Sequence, residues 1–463
     1  MKQKLRSARP ATLFAVLAFA AAVAVALVGA SASHAASPKS HPIHVTPQVS
    51  GPQRAPKPGN LFGCQARPIN GSQGLRCYTP QQIQQAYGYS GLLASGVNGA
   101  GRTIVIIDAF DNPFLQGDLD IQDNLFGLPA VTLNKVQMPG VPAFNPADGN
   151  NDGWAEEETL DVLWAHAMAP AANITLVEAK SNNDSDILDA TKFAVDNNLG
   201  DVISQSFGEA ESCVDPSILT QEHAVFQEAV DKGMTLFASS GDSGASQFSC
   251  DGSSAILAAS SPASDPLVTG VGGTTLSATD PAGMYSVERA WTEQLLGCNP
   301  PALAFPFDVN CSSGGFSTIY DRPGFQQSLV SGGSGRGVPD VAYNAGVNGG
   351  VLTHCGVCNL LLGLDPTDPT IFFLFGGTSA GSPQWAALTA DADQMAGHDL
   401  GNINSSLYSI AAGPGPKALH DVIQGNNDVA EIGGQGYNAA QGWDAVTGLG
   451  TPNAAYLLPR LAH

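Results

Sequence analysis

Four apolar runs constrain the fold of this chain more than any other feature. GRTIVIIDAF at 101–110, NITLVEA at 173–179, GDVISQSFG at 200–208 and GMTLFASSG at 233–241 are short and bounded by turn residues, with little polar alternation. Such runs read as strands buried on both faces. Between them lie segments with helical spacing, such as DSDILDATKFAVDNN and EHAVFQEAVDKG. Strands alternating with helices predict an α/β fold, a mostly parallel sheet with helices on both faces. The 53 glycines and few aromatics among 463 residues suit one large, loop-rich domain of this kind. In open parallel sheets, functional groups collect at the carboxyl ends of strands. Asp108, Ser206, Asp242 and Ser379 all stand at or just after such ends.

The N-terminus bears on compartment. MKQKLRSARP is basic, ATLFAVLAFAAAVAVALVGA is apolar, and the exit SASHAAS consists mostly of small residues. These are the three parts of a secretory signal, here cut after Ala35 or Ala36. The apolar run is also long enough for a bilayer anchor, and the small-residue exit favours the signal. Eight cysteines behind such a signal predict disulfides formed outside the cytoplasm. Neighbour pairing is the simplest connectivity: Cys64 with Cys77, Cys213 with Cys250, Cys298 with Cys311, and Cys355 with Cys358. HCGVC at 354–358 lacks the second cysteine pair of a metal site and reads as a small structural loop. With 41 acidic against 19 basic residues and a formal charge of −22, the surface repels nucleic acid and anionic membranes. It also suits an acidic medium, where protonated carboxylates repel one another less. The expected organisation is a signal peptide over 1–36, a Pro-rich linker or short propeptide-like segment over 37–76, and one domain over 77–463.

GGTSAGSP at 376–383 follows the apolar run IFFLF and leads into the helical QWAALTADADQMAG. A strand, a small-residue turn and a helix present a nucleophilic serine in many hydrolases, and here the candidate is Ser379. A serine needs a base. None of the nine histidines sits in the kind of glycine-flanked loop that would supply one, and His166 in LWAHAMAP reads as a helix residue packed on the sheet. GWAEEETLDVLWAHAMAP offers carboxyls instead. Glu157 and Asp161 are four residues apart, so on a helix they project from one face. Paired like this, they share a proton and split their apparent pKa values, and such a pair accepts a serine proton in acid. Taken alone, the stretch is equally a solvated acidic face, with Glu156 and Glu158 beside it. Asp242 in ASSGDSG, when protonated, can donate to an oxyanion. Taken alone, it is more simply a turn aspartate bonding its own backbone.

GWAEEETLD, VISQSFG, SSGDSG and GGTSAGSP together follow the order and approximate spacing of one family. From CYTPQQIQQAYG at 77 to the C-terminus, the chain resembles the sedolisins, the serine-carboxyl peptidases. The resemblance implies a subtilisin-like fold and peptide hydrolysis through an acyl-enzyme on Ser379. It makes Glu157 the general base, Asp161 its proton-sharing partner and Asp242 the oxyanion aspartate. Asp108 stands where a subtilisin-like enzyme carries its triad aspartate; that place is not the catalytic one in sedolisins, so Asp108 is expected to be structural. SQSFG at 204–208 resembles the strand that pairs with substrate backbone. DVIQGNND at 421–428 and QGWDAVTGLGTPN from 441 read alone as turn-rich structure. The resemblance makes them C-terminal calcium-binding loops holding one structural Ca2+ ion. Asp421 and Asp444 are its implied carboxylate ligands, and Val422, Ala440 and Gly442 its carbonyl ligands. Ala440 stands where the family has glycine, a change that a carbonyl ligand tolerates. Sedolisins are made with a long folded prodomain, and 37–76 is too short and too polar to be one. The expectation is a secreted, extracellular, acid-active serine-carboxyl endopeptidase. It is expected to be a monomer acting on protein or peptide substrates, with no nucleic-acid partner and no stable membrane association after signal cleavage. A tripeptidyl exopeptidase and an inactive secreted binding protein on the same fold are the alternatives.

Overall fold

The computed structural model describes residues 41–43, 45, 47–66, 77–278, 281–293, 298, 310–414 and 417–463. The expected signal peptide lies outside the described residues. Among the described residues, no helix is long and apolar enough to cross a membrane.

Two strands precede the main sheet, β1 (Gln48–Arg54) and β2 (Cys77–Tyr78). α1 (Pro80–Ala86) begins at a proline, whose fixed φ suits the first turn of a helix. Thr79 caps it, and the Gln82 side chain returns to accept from Thr79 N at 2.9 Å. The helix does not continue past Gly88, where φ is +78°, and α2 (Ser90–Ala94) follows.

The four runs form β3 (Thr103–Ala109), β5 (Asn173–Ala179), β6 (Val202–Gln205) and β8 (Thr235–Ser239), with β4 (Asn134–Gln137) beside β5. Short ladders of β7 (Glu209–Ala210) with β11 (Ser260–Ser261), and of β9 (Ser246–Phe248) with β10 (Ala255–Leu257), stand among the loops that follow. The main sheet runs β13 (Tyr285–Ala290), β12 (Thr269–Ala278), β8, β6, β3, β5, β4, and β12 also pairs with β16 (Val341–Asn344). Every pairing in it is parallel except that of β13.

Burial explains why the runs are apolar throughout. Along β3, Ile104 and Ile106 pack into a core with α4 (Gly149–Met168) and α8 (Ser382–Ala396). Val105 and Ile107 point the other way, into a core with α5 (Asp184–Asp196) and α6 (Pro216–Asp231). The period of two along a strand then assigns Asp108, like Ile106, to the α4 face.

IFFLF departs from the parallel pattern. It becomes β18 (Ile371–Gly376), which runs antiparallel to β17 (Gly350–Thr353) in a separate sheet of order β1-β18-β17-β2. Its other edge is covered by β1, with Gln48 opposite Gly376, so the stretch expected to be linker supplies a strand. A hydrophobic strand with an open edge is an aggregation hazard, and this pairing closes it. A further hairpin joins β14 (Gly315–Asp321) to β15 (Gly335–Val338). All four disulfides join the neighbours expected, and no cysteine is free.

Candidate active site

α4, the turn after β18 and the loop after β8 converge on one cleft. Glu157, Ser206, Gly208, Asp242, Thr378 and Ser379 line it, and among the described residues no histidine does. Ser379 lies in a 3-10 turn (Thr378–Ala380) immediately before α8. Two glycines explain the small residues of GGTSAGSP. Gly377 has φ +88°, and a Cβ there would meet Asp242 Oδ2 at 2.7 Å. A Cβ on Gly381 would meet Val271 Cγ1 at 2.8 Å and Tyr343 Cβ at 2.9 Å, so its absence lets α8 approach the sheet. Trp385 then anchors α8 by donating from Nε1 to Ala342 O at 3.0 Å.

α4 brings the carboxyls. Asp148 caps its N-terminus, accepting from Asn150 N at 3.0 Å. Packed against β3, α8 and the serine turn, the helix leaves Glu157, Glu158 and Asp161 at 1% exposure or less. The solvated acidic face is therefore excluded, and these carboxyls sit in the core. Burial raises Glu157 well above the usual carboxylate range, the charge of Asp161 raises it further, and the Ser379 hydroxyl facing it acts in the opposite direction. Burial also raises Asp161, opposed by the Ser206 hydroxyl. Ser379 Oγ itself donates to Ser206 O at 3.4 Å, a long bond that a better acceptor can replace.

Asp242 is held by the turn it faces. Its Oδ1 accepts from Thr378 N and from Thr378 Oγ1, both at 2.8 Å, while Oδ2 lies beside Gly377. Burial pushes Asp242 up to about 6 against both of those bonds. In mild acid it is a neutral acid with one oxygen committed and the other available to carry a proton. The partners of Asp242 thus lie in the serine turn, across 136 residues of sequence, and are not confined to its own loop.

The structure brings Glu157, Asp161, Asp242 and Ser379 together, with Asp108 near them, and it adds Thr378, Val45 and Gln48, which the sequence did not single out. Asp108, expected to be structural, lies against Asp161, Glu158 and Glu157; burial and then those charges raise its carboxyl strongly. Thr378 was legible only as part of a small-residue turn. Val45 and Gln48 line the cleft from the N-terminal segment, whose residue Ile43 donates from N to Asn182 O at 2.7 Å. Nothing in a polar, Pro-rich stretch signals that placement. His166 is buried in α4, within 2.9 Å of Pro129 O and 3.2 Å of Asp123 Oδ1, away from the cleft.

Of the five residues expected to hold calcium, Asp421 and Gly442 join the two loops. Gly442 N donates to both oxygens of Asp421 at 3.2 and 3.1 Å, and Ala440 N donates to Asp444 Oδ2 at 3.0 Å. The carbonyl oxygens of Val422, Ala440 and Gly442 accept no hydrogen bond from the described residues. Two carboxylates and three free carbonyls form an all-oxygen donor set, which fits a hard cation such as calcium. No cluster of three or more acidic, histidine or cysteine groups able to hold a metal occurs among the described residues.

A mostly parallel sheet carrying a serine at the head of a helix agrees with the subtilisin-like class, and residues 143–413 match the Subtilase family. Kumamolisin from Bacillus sp. (strain MN-32) is 32% identical over 393 residues, 83% of this chain and 63% of that protein. Sedolisin from Pseudomonas sp. (strain 101) is 34% identical over 375 residues, 79% of this chain and 58% of that protein. The solved structure of Pseudomonas sedolisin, a serine-carboxyl proteinase complexed with pseudo-iodotyrostatin, matches with a TM-score of 0.69 and 28% identity, covering 83% of this chain and 97% of that one. The chain belongs to the subtilase family and, within it, to the sedolisins. It spans 63% and 58% of the lengths of the two curated relatives.

Proposed function

We propose that this chain is a secreted, acid-active serine-carboxyl endopeptidase. The observation that carries the reading is a serine at a helix head facing a buried carboxyl pair, in a cleft with no histidine among its described lining residues. Glu157 takes the Ser379 Oγ proton as the hydroxyl attacks the substrate carbonyl, while Asp161 shares the charge that develops. Asp242, protonated at Oδ2, donates to the oxyanion. The proton on Glu157 then passes to the leaving amine, giving an acyl-enzyme on Ser379, and water repeats the sequence to release the acid.

One carboxyl must be ionised while another is neutral. Activity is lost at high pH as Asp242 gives up its proton near 6, and lost at low pH as the Glu157 cluster takes up its last one. Asp421 and Asp444, with the carbonyls of Val422, Ala440 and Gly442, would hold calcium, which would stabilise the fold and supply no chemistry to the reaction. The disulfides support an extracellular setting.

The test is digestion of a denatured protein from about pH 2 to about pH 8 by the wild type and by Ser379→Ala. A bell-shaped profile below neutrality that vanishes in the variant is expected; equal cleavage by both would remove Ser379 from the mechanism. Product lengths separate internal cleavage from release of tripeptides.

A further inference from the structure

The carboxyl chain that ends at Ser379 does not begin at Asp161. Parallel pairing sets Asp108 on β3 directly beside Glu178 on β5, so both side chains stand on the face that α4 covers. Glu158, next to Glu157 on α4, is fully buried above them, and neither of its carboxyl oxygens has a hydrogen-bond partner among the described residues. At the far end, Lys135 on β4 reaches Glu178 Oε1 at 2.7 Å, Asp111 Oδ1 at 2.5 Å and Asn112 O at 2.9 Å. Its side chain is one quarter exposed, while that of Glu178 is fully buried.

From this geometry we infer that Lys135, Glu178 and Glu158 are positioning residues of the peptidase site, a charge-paired layer behind α4 that sets how the Asp108, Asp161 and Glu157 carboxyls hold their protons. The inference rests on the serine-carboxyl reading above.

Each element packed on the layer contributes a titratable or charged group. α4 supplies Glu157, Glu158 and Asp161, with Glu156 beside them; β3 supplies Asp108 and the loop after it Asp111; β5 supplies Glu178 and β4 supplies Lys135. On the cleft side stand Ser206, Ser379 and Asp242. Lys135 is the cation among these groups. Burial, then the charge of Glu178, raise Glu158, and Lys135 opposes them. Burial raises Glu178 as well, again opposed by Lys135. Where water is excluded, a unit charge is felt well beyond contact distance. The ammonium therefore draws negative charge to the Glu178 end, and an ionised Glu178 makes Asp108, Asp161 and Glu157 harder to ionise.

The experiment compares pH profiles of kcat/KM for the wild type, Glu178→Gln, Lys135→Met and the double variant. Glu178→Gln leaves the cation with one anion fewer, so the acid limb moves to lower pH by about half to one unit. Lys135→Met removes the cation and with it the ionised state of the buried Glu178, so its limb and that of the double variant should fall together, on the alkaline side of the Glu178→Gln limb. A merely structural role would lower stability or kcat and leave the limb where it is. Limbs that coincide in all four proteins would overturn the inference.

A second measurement stands apart from activity. The infrared C=O band of protonated carboxyls, followed through a pH titration of Ser379→Ala with and without Glu178→Gln, should show the same downward shift. Unmoved midpoints in that titration would also overturn the inference. A wild type that cleaved nothing at any pH would sink the peptidase reading, and the infrared midpoints would still decide the coupling.

Discussion

At the scale of the residue, the informative contrast is between Asp242 and Glu157, two buried carboxyls required in opposite states. Asp242 has both its hydrogen bonds on one oxygen, so its other oxygen is free to donate once protonated. Its pKa near 6 places the loss of that donor, and hence the alkaline limb, below neutrality. Asp242→Asn retains an N–H donor at every pH, so the residual activity of this variant should extend towards neutral pH when kcat/KM is followed from acid to neutral. Asp242→Ala removes the donor and should cost on the order of a hundredfold or more in kcat. A limb unmoved in Asp242→Asn would place the oxyanion donor elsewhere. For the base, Glu157→Gln preserves shape and abolishes proton acceptance; a drop on the order of a hundredfold or more in kcat/KM is expected, and full activity would sink the assignment.

At the scale of the element, α4 and β1 divide the work of shaping the cleft. α4 is fixed against its neighbours by buried hydrogen bonds as well as by packing: Asn112 Nδ2 donates to Ala155 O at 2.7 Å, and Trp164 Nε1 donates to Thr353 Oγ1 at 2.9 Å. β1 closes the edge of β18, and Val45 and Gln48, from β1 and the segment before it, line the cleft. A tethered segment competes with substrate at a high effective concentration. Removing the residues before Gln48 should therefore raise kcat/KM for a peptide substrate, by roughly tenfold if the segment competes as an intramolecular ligand. Identical constants for the full and shortened chains would show that it does not obstruct substrate.

At the scale of the whole molecule, the raised carboxyls become a statement about stability. Burial lifts Glu156 and Asp393 to about 7 and Glu209 and Glu222 to about 8, besides Asp242. Each of these binds its proton more tightly folded than unfolded, so its contribution is fully present below the ordinary carboxylate pKa and is lost as pH rises through the folded value. The melting temperature should fall steadily between about pH 4 and about pH 8. A flat or rising curve would contradict the burial of these groups. Calcium acts on the same observable. An ion bound only to the native state at a hundredfold excess over its Kd contributes about 2.7 kcal/mol. Chelation at fixed pH should lower the melting temperature, and Asp444→Ala should abolish that response. A melting curve that ignores the chelator in the wild type would remove the site.

The sequence by itself determined the layered sheet, because runs apolar at every position can be satisfied only between two helix layers, as Ile106 and Ile107 are. It also determined which serine, which helix and which aspartate to consider, because the E-x-x-x-D spacing and the small-residue turn are local patterns. Neighbouring cysteines likewise found one another, across separations of 3 to 37 residues. Only the tertiary structure decided that Glu157 and Asp161 face the core and not water, since EEETLD carries no sign of which side is covered. Only it brought Asp108, Glu178 and Lys135 into one charged layer, which depends on the register between strands, and only it turned a Pro-rich stretch into the strand covering β18. Those are contacts between segments far apart in the chain, and neither composition nor periodicity records them; they exist because burying one surface requires a particular partner to cover it.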